Sequence, residues 1–309
     1  MTKYIIRRVL LIVPVMLGVS VIVFGIMHLT PGDPAILMLG EAAPAAEYAA
    51  LRTRLGLDEP IYVQYGIWIG RVVQGDFGRS IRSGRPVLNE IRARLPATVE
   101  LALLATALAI IVGVPLGVIS ANRPNTAVDH GATVLAFGGL AMPVFWQGLM
   151  MILIFSLWLG WLPSSGRHGG WVYYVLPTVT LGTSAIAAIT RMTRATMLET
   201  LTQDYIRTAR SKGVFDRSII YRHALRNAMI PVVTVIGLQF GGLLSGAVLT
   251  ETIFSWPGIG RLAVDAIRSK DFPVVQGVVL VFAIIYALVN LSVDVLYAYL
   301  DPRLRTRYS

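Results

Sequence analysis

Six long apolar runs constrain the fold of this chain more than any other feature of its sequence. They contain no Asp, Glu, Lys or Arg and occupy residues 9–29, 101–121, 132–166, 172–190, 227–250 and 272–293. A helix needs about 20 apolar residues to cross a bilayer. With 55% hydrophobic and 14% charged residues, the composition excludes an ordinary soluble domain. The sequence therefore predicts an all-α polytopic membrane protein, a single domain over residues 1–309 with six transmembrane helices in lipid.

Two of the six runs need separate interpretation. The third run is too long for one straight helix, so we expect a kink at Met142-Pro143 and a surface position for the tail up to Pro163. The first run is long enough to span a bilayer and is not followed by a small-residue cleavage pattern. We therefore interpret it as a retained helix and not as a removed signal peptide.

The distribution of cationic side chains predicts the orientation in the membrane. If the N-terminus is cytoplasmic, the inner segments hold fifteen Lys and Arg residues, and the two short outer loops hold four. The positive-inside rule then places both termini and the segment 204–226 in the cytoplasm. The same rule explains the net charge of +10 without nucleic acid as a partner. Five aromatic residues mark the expected outer interface as an aromatic belt: Trp158, Trp161, Trp171, Tyr173 and Tyr174.

Residues 30–96 form a long polar interruption after the first run, which this topology places outside the membrane. Residues 44–55 look helical, and Asp58-Glu59-Pro60 is a typical helix start. A second apolar face follows at helical spacing, made of Ile61, Tyr65, Trp68, Ile69 and Val72. We expect residues 86–95 to form an interfacial helix that leads into the second span.

One charge-rich segment begins at residue 204, between two apolar runs, and extends to residue 233 at the start of the next span. We interpret it as the part of the chain that the spans serve. Leu198, Leu201, Tyr205 and Ala209 fall at helical spacing and predict one apolar stripe. Gly213 can end that helix in the left-handed conformation, and Asp216 can cap the next one. The inner loop, residues 191–228, thus predicts two short helices with an apolar face to dock and a basic face for another protein.

This segment resembles the cytoplasmic coupling loop in permease subunits of bacterial ABC importers. Their general motif reads EAA, three residues, Gly, nine residues and Ile-x-Leu-Pro. Aligned on Gly213, this chain has Arg207-Thr208-Ala209 and, further on, His223-Ala224-Leu225-Arg226. The Glu, Ile and Pro of the general pattern are absent. Instead, RTARSKG and HALRNA resemble the branch that imports dipeptides, oligopeptides, glutathione and nickel. A plain basic loop, held inside by its charge, is the alternative interpretation.

The resemblance extends over essentially the whole chain. TPGDP, LGLDEPIYVQY, GDFGRS, RLPATVEL, ETIFSWPGIGRL and VDVLYAYLDPR all look like that branch. It implies half of a translocation channel in a bacterial inner membrane, with a second similar permease chain, two cytoplasmic ATPase subunits and an extracytoplasmic substrate-binding protein. It also implies which residues contact the ATPase: Asp204, Tyr205, Arg207, Thr208, Ala209, Arg210, Lys212 and Gly213. Peptides, glutathione and nickel remain open as cargo.

Sequence patterns for catalysis or nucleotide binding are missing. No GxxxxGK[ST] phosphate loop occurs, because the three lysines are followed by Tyr, Gly and Asp. There is no HExxH motif, no Gly-x-Ser-x-Gly elbow and no cysteine. We therefore expect no enzymatic activity, cofactor or metal in this chain, with ATP and Mg²⁺ bound on partner subunits. A membrane enzyme is a remote alternative.

A few polar or helix-breaking residues in the spans are candidates for the translocation path: Met142, Pro143, Gln147 and Gln239. Intramembrane polar groups tend to face a cavity, but they also join helices by hydrogen bonds. The residues Trp256-Pro257-Gly258-Ile259-Gly260 can border the path or form an ordinary outer turn. Asp294 could serve a proton-coupled secondary transporter, the chief rival class. We favour a salt bridge with a nearby arginine, or a position within reach of water.

Overall fold

The chain is a bundle of long helices in a computed structural model that describes residues 2–29, 35–36, 44–167 and 169–300. Five helical segments are long and apolar enough to cross a membrane: Ile6–Leu29, Val87–Asn122, Val172–Leu201, Asp216–Ile253 and Phe272–Leu296. Among the described residues, an isolated antiparallel bridge between Arg79 and Pro86 is the sole β-type pairing. The all-α polytopic fold is thus confirmed. The TPGDP motif at residues 30–34 and the C-terminal residues 301–309 lie outside the described residues.

Twelve α-helices and two π-helical segments make up the described chain. In order they are α1 Thr2–Leu29, α2 Ala45–Leu55, α3 Ile61–Val73, α4 Val87–Asn122, α5 Ala127–Ala141, α6 Val144–Met151, π1 Ile152–Trp158, α7 Val172–Leu201, α8 Asp204–Ser211, α9 Asp216–Ser218, π2 Ile219–Ala224, α10 Leu225–Ile253, α11 Ile259–Arg268 and α12 Phe272–Leu300.

The third apolar run is interrupted where proline predicted a kink. Helix α5 ends at Ala141, Met142 is extended with φ −81° and ψ 127°, and α6 starts after Pro143. The two pieces, with π1, are each too short to count among the five long spans. The interruption is therefore a complete break in the helix, because a residue before proline disfavours the helical conformation.

The segment before α4 differs from its prediction in one respect. Residues 86–95 are not a separate interfacial helix, since α4 runs without interruption from Val87 to Asn122 and contains Pro96 and Pro115. Neighbouring helices can satisfy the backbone groups that proline frees in a membrane helix.

Helix α3 packs on α1 through part of its predicted face. Tyr65 lies 2.8 Å from the Ser20 hydroxyl, and its ring contacts Phe24, whereas Ile61 is exposed.

Helices α4 and α7 form the most extensive pair in the bundle, and small residues bring them together. Ala102, Ala105 and Ala109 are fully buried on α4, and two glycines continue the same stripe. A Cβ atom on Gly117 would lie 2.5 Å from Thr193 Cβ and 2.7 Å from the Thr190 carbonyl oxygen. Such small-residue stripes let membrane helices approach closely. The α4–α7 pair is therefore the central shaft around which α10, α5 and α12 pack.

The two ends of the bundle can be told apart by what joins them. At one end, residues 202–224 form a helical hairpin that packs on α4 and α7; we call this the hairpin end. At the other, the far end, α11 and the start of α12 pack on the start of α4.

Arg8 of α1 forms a 2.9 Å ion pair with Asp294 of α12. The salt bridge favoured from the sequence for Asp294 is thus confirmed.

Candidate coupling site and translocation path

The helical hairpin begins where α7 ends at Leu201. Helix α8 follows from Asp204 and stops at Ser211, and Gly213 then adopts a left-handed conformation with φ +75°. The Val214 amide donates to the Ala209 carbonyl (3.2 Å) and the Gly213 amide to that of Arg210 (3.0 Å). This is a Schellman ending, which glycine accommodates without a Cβ penalty. Gly213 therefore ends the helix as predicted, while Asp216 is a first-turn residue of α9 whose N-cap is Phe215.

The buried face of α8 is not the stripe predicted from the sequence. Leu198 and Leu201 belong to α7, and the turn at Thr202 separates them from α8, so a single helical stripe is wrong. Ile206 is the fully buried residue of α8, whereas Tyr205 is 42% exposed and its hydroxyl accepts a 2.8 Å hydrogen bond from Asn227. The turn at Thr202 rotates α8 relative to α7. As a result Ile206, and not Tyr205, is the residue of α8 that faces the buried cluster.

A single apolar cluster attaches the helical hairpin to three long helices. Ile206 and Ile219 are completely buried against Val118 of α4, Met197 of α7 and Ala228 of α10. Burying an aliphatic side chain of this kind contributes about 1.5–3 kcal/mol. The helical hairpin is therefore held firmly on the ends of three spans, and Ala209 lies at the edge of the cluster, not on the free surface.

The opposite face of the helical hairpin is open to solvent and mostly charged. Seven of the eight predicted contact residues are exposed: Asp204, Tyr205, Arg207, Thr208, Arg210, Lys212 and Gly213. Sequence analysis missed two aromatic residues beside them. Phe215 is 85% exposed and Tyr221 is 55% exposed, and together with Arg217 and Arg222 they border an open groove. The signal was present, since Phe215 directly precedes Asp216 in an otherwise polar stretch.

The four candidate path residues are not joined into one site. Gln147 of α6 is 7% exposed and donates a 2.7 Å hydrogen bond to the Thr183 hydroxyl of α7. Gln239 is half-buried on α10, and no hydrogen bond links it to Gln147 among the residues that the structure describes. Met142 and Pro143 mark the helix break and are exposed. Gln147 therefore has the geometry of a helix-joining residue, and a path role for these four stays a prediction.

The far end contains a buried polar group that sequence analysis did not single out. Glu251 has no exposed surface, and its carboxylate accepts a 2.6 Å hydrogen bond from the Thr98 hydroxyl and a 3.0 Å bond from the Arg261 amide. Thr98 in turn accepts from the Ile259 amide at 2.9 Å. The carboxylate thus caps the N-terminus of α11, where negative charge is favoured. A lone acid next to a Trp-Pro-Gly-x-Gly sequence was the available signal.

The chain around Glu251 is packed against several elements at once. A Cβ atom on Gly258 would overlap the Glu251 carboxylate, so this position requires glycine. Trp256 is completely buried, donates from its indole N–H to the Ala97 carbonyl at 2.9 Å and meets the Tyr174 ring edge-on. We call Glu251, Thr98 and residues 254–261 the Glu251 clasp. It joins α4, α7, α10 and α11, whereas a simple connecting turn would contact only the two helices that it links.

The fold and these two sites define a membrane-embedded permease of the binding-protein-dependent transport systems, and the chain belongs to that family. The family model described as "binding-protein-dependent transport system inner membrane component" matches residues 113–306, and the corresponding N-terminal model matches residues 1–102. The chain is thus the permease of an ABC importer and a multi-pass protein of the inner membrane.

Individual relatives are similar over their full lengths. The dipeptide transport system permease protein of Alkalihalophilus pseudofirmus is 46% identical, with 99% of this chain and 100% of the relative covered. The glutathione transport system permease protein of Escherichia coli is 45% identical, with 99% of each chain covered.

Solved structures of lower similarity share the fold. An inward-facing structure of the MetNI methionine ABC transporter has a TM-score of 0.58 at 16% identity, covering 68% of this chain and 96% of that one. An amino acid ABC transporter with histidines has a TM-score of 0.53 at 17% identity, covering 70% and 94%. At these identities the likeness concerns the backbone arrangement of the helices.

Proposed function

We propose that this chain forms half of the translocation channel of an ATP-driven importer and transmits movement from ATPase subunits to its spans. In the complete complex a second, similar permease chain supplies the other half. Two ATPase subunits bind the helical hairpins from the cytoplasm and hold ATP and Mg²⁺. An extracytoplasmic binding protein delivers the cargo to the opposite side. Both termini and the helical hairpin are cytoplasmic, and residues 30–96 face the binding protein.

The observation that carries this proposal is the two-sided character of the helical hairpin. One side is anchored by Ile206 and Ile219 in the cluster shared with α4, α7 and α10. The other side presents charges and the exposed Phe215 and Tyr221. A partner bound to the free side therefore acts on three spans through a buried attachment. A nucleotide shifts such an equilibrium by its differential affinity for two states, and the ATPases would supply that difference.

The apolar anchor of the ATPase contact is Phe215 in this proposal, and the exposed charged residues of α8 belong to the same contact. Sequence analysis named Ala209 among the ATPase-contact residues, but Ala209 packs toward the buried cluster. Exposed aromatic residues at the centre of an interface often contribute most of its binding energy. Arg217 and Arg222 border the same groove as Phe215 and would match an acidic cleft on the ATPase.

The cargo we propose is a small peptide, either a di- or oligopeptide or a glutathione-like tripeptide. The two full-length relatives carry these names, and they support the peptide branch of the family. A nickel importer is the alternative within the same class. The binding protein would decide most of the selectivity, because it captures the cargo before the channel does.

Reconstitution tests the proposed function. The permease pair is placed in liposomes with its binding protein and a labelled dipeptide or glutathione, with and without the ATPase subunits. Uptake should require both ATPases and ATP. Uptake by the permease chains without ATPases, driven by a proton or sodium gradient, would favour the rival secondary transporter and overturn the proposal.

The orientation has its own test. Protease added to right-side-out vesicles should cleave within residues 44–86 and leave the helical hairpin intact. In inside-out vesicles the helical hairpin should be cleaved and the earlier segment protected. Cleavage of residues 44–86 from the cytoplasmic side would refute the topology.

A further inference from the structure

An ion pair between a buried carboxylate and a half-buried guanidinium lies at the hairpin end but outside the helical hairpin itself. The Arg194 guanidinium of α7 donates from Nε and Nη2 to the two carboxylate oxygens of Asp129, each at 2.7 Å. Asp129 is 2% exposed. Two parallel bonds of this kind fix both the distance and the relative orientation of the groups. The pair therefore holds α5 in one defined position on α7.

The same carboxylate also gathers the connection between α4 and α5. It accepts a hydrogen bond from the Ser120 hydroxyl near the end of α4 and another, 2.9 Å long, from the Asn125 amide. Asn125 has a left-handed backbone with φ +60°, which asparagine tolerates better than most residues. Hydrogen bonds from Arg194 and Ser120 hold the pKa of Asp129 well below its usual range, so the carboxylate stays charged.

The ion pair is a polar link between α5 and α7 at this level, and a cavity lies beside it. A cavity of about 300 Å³ adjoins it and is lined by Ser120, Asn125 and Arg194 among others. Apolar packing could hold two helices as well as a buried ion pair does, because desolvation offsets much of the attraction between the charges. An ion pair adds directional rigidity at a single point.

We propose that Asp129 and Arg194 are positioning residues that form a strut, which makes α5 follow α7 when the helical hairpin is displaced. Arg194 lies two helical turns before Leu201, where α7 gives way to the helical hairpin. A push on the helical hairpin therefore reaches Arg194 first along α7. Through Asp129 it passes to α5 and to the break at Met142. This inference rests on the proposed function, because it assumes that the helical hairpin is driven by a partner.

The first experiment measures transported peptide per ATP hydrolysed in the reconstituted complex with binding protein and ATPases. Asp129→Asn and Arg194→Gln should lower that ratio by about fivefold or more, while ATP hydrolysis continues. Asp129→Glu, which keeps the carboxylate as an acceptor, should lower the ratio less than Asp129→Asn does. The matched control is Arg123→Gln, an exposed arginine in the same connection, which should leave the ratio unchanged.

A cross-link separates a strut from a merely structural contact. The chain has no cysteine, so Val128→Cys on α5 and Ala195→Cys on α7 can be joined by short bismaleimides of graded length. Because the strut allows no relative movement, a fitting cross-link should leave transport intact. In the Asp129→Asn background it should restore the lost coupling. A cross-link that blocks transport would overturn the proposal.

The outcomes distinguish the strut from the proposed function. If the unaltered permease transports without ATPases, the proposed function fails whatever the variants do. If ATP-driven transport is normal but Asp129→Asn keeps the full ratio of transport to hydrolysis, the strut alone fails. A variant that loses transport and hydrolysis in proportion to the amount of assembled complex also contradicts the strut, because the pair would then serve assembly.

Discussion

The two ends of this bundle use the same kinds of residue in opposite ways. At the far end, Trp256 and Phe254 are buried, at 0% and 1% exposure, and the Glu251 carboxylate is enclosed by donors. At the hairpin end, Phe215 and Tyr221 are 85% and 55% exposed, and most charged side chains point to solvent. Aromatic residues and Glu251 thus close the far end, whereas the helical hairpin leaves aromatic and charged side chains available to a partner.

This difference fits the proposed function, in which the far end stays fixed and the hairpin end moves with the ATPase subunits. The Glu251 clasp joins four helices through buried hydrogen bonds and aromatic packing, so we expect it to resist rearrangement. The helical hairpin is attached on one side to α4, α7 and α10 and free on the other, so in the proposed function a force applied to it would be passed to these three helices. The comparison predicts that substitutions at the far end mainly change stability. Substitutions on the free face of the helical hairpin should mainly change activity.

The largest effect is expected from Glu251→Ala in the clasp. The change leaves the Thr98 hydroxyl and the Arg261 amide without their acceptor in a buried site, which costs about 3 kcal/mol or more. The melting temperature of the purified permease complex should fall sharply, and less complex should be recovered from membranes. Thermal unfolding followed by fluorescence in detergent measures this.

Glu199→Ala is the matched control, because Glu199 is an exposed acid near the hairpin end of α7. It should leave the melting temperature unchanged. Equal melting temperatures for Glu251→Ala and the unaltered chain would show that the clasp does not fix the far end, and the comparison between the two ends would be lost.

A somewhat smaller loss of stability is expected from Gly117→Ala on the central shaft. The added Cβ would lie 2.5 Å from Thr193 Cβ, so α4 and α7 must separate slightly. Overpacking of this kind costs about 1–3 kcal/mol. Gly242→Ala provides the control on α10, since no atom lies within 4 Å of its added Cβ. A melting temperature equally unaffected by both changes would contradict the close approach of the two helices.

Phe215→Ala tests the free face of the helical hairpin and should separate activity from stability. Removal of an exposed side chain should leave the melting temperature unchanged but weaken ATPase association about tenfold, a loss typical of an interface anchor. Co-purification of the ATPase and its substrate-stimulated hydrolysis report the effect. Phe145→Ala is the control, because Phe145 is 50% exposed on α6, away from the helical hairpin. If association is unchanged in Phe215→Ala, the residues of α8, and not Phe215, carry the ATPase contact.

Sequence analysis predicted features that depend on length, composition and single residues. The apolar runs give the spans because hydrophobic length is a local property, and the breaks at Pro143 and Gly213 follow from backbone chemistry. The coupling role of the loop around Gly213 stays a prediction that rests on its resemblance to a known motif. These elements require no knowledge of what each helix packs against.

Features that depend on helix rotation or on distant partners escaped sequence analysis. Periodicity alone cannot locate the turn at Thr202 that separates α7 from α8, so Tyr205 was exchanged for Ile206 as the buried residue. Thr98, a hydrogen-bond partner of Glu251, is more than 150 residues away in the sequence. The two residues meet only in the folded chain. A carboxylate without a nearby cation in the sequence gives no sign of which amides it will cap.

The smallest effect is expected from Asp294→Asn, and it bears on the rival class of transporter. The ion pair with Arg8 is partly exposed, with side-chain exposures of 29% for Asp294 and 44% for Arg8. Exposed pairs contribute about 0–1 kcal/mol, so the melting temperature should barely change. ATP-driven uptake should also be retained, because in this proposal the carboxylate carries no proton. A secondary transporter that used Asp294 as its proton carrier would lose uptake with this substitution. A loss of transport at unchanged stability would therefore count against the proposed function and in favour of an ion-driven mechanism.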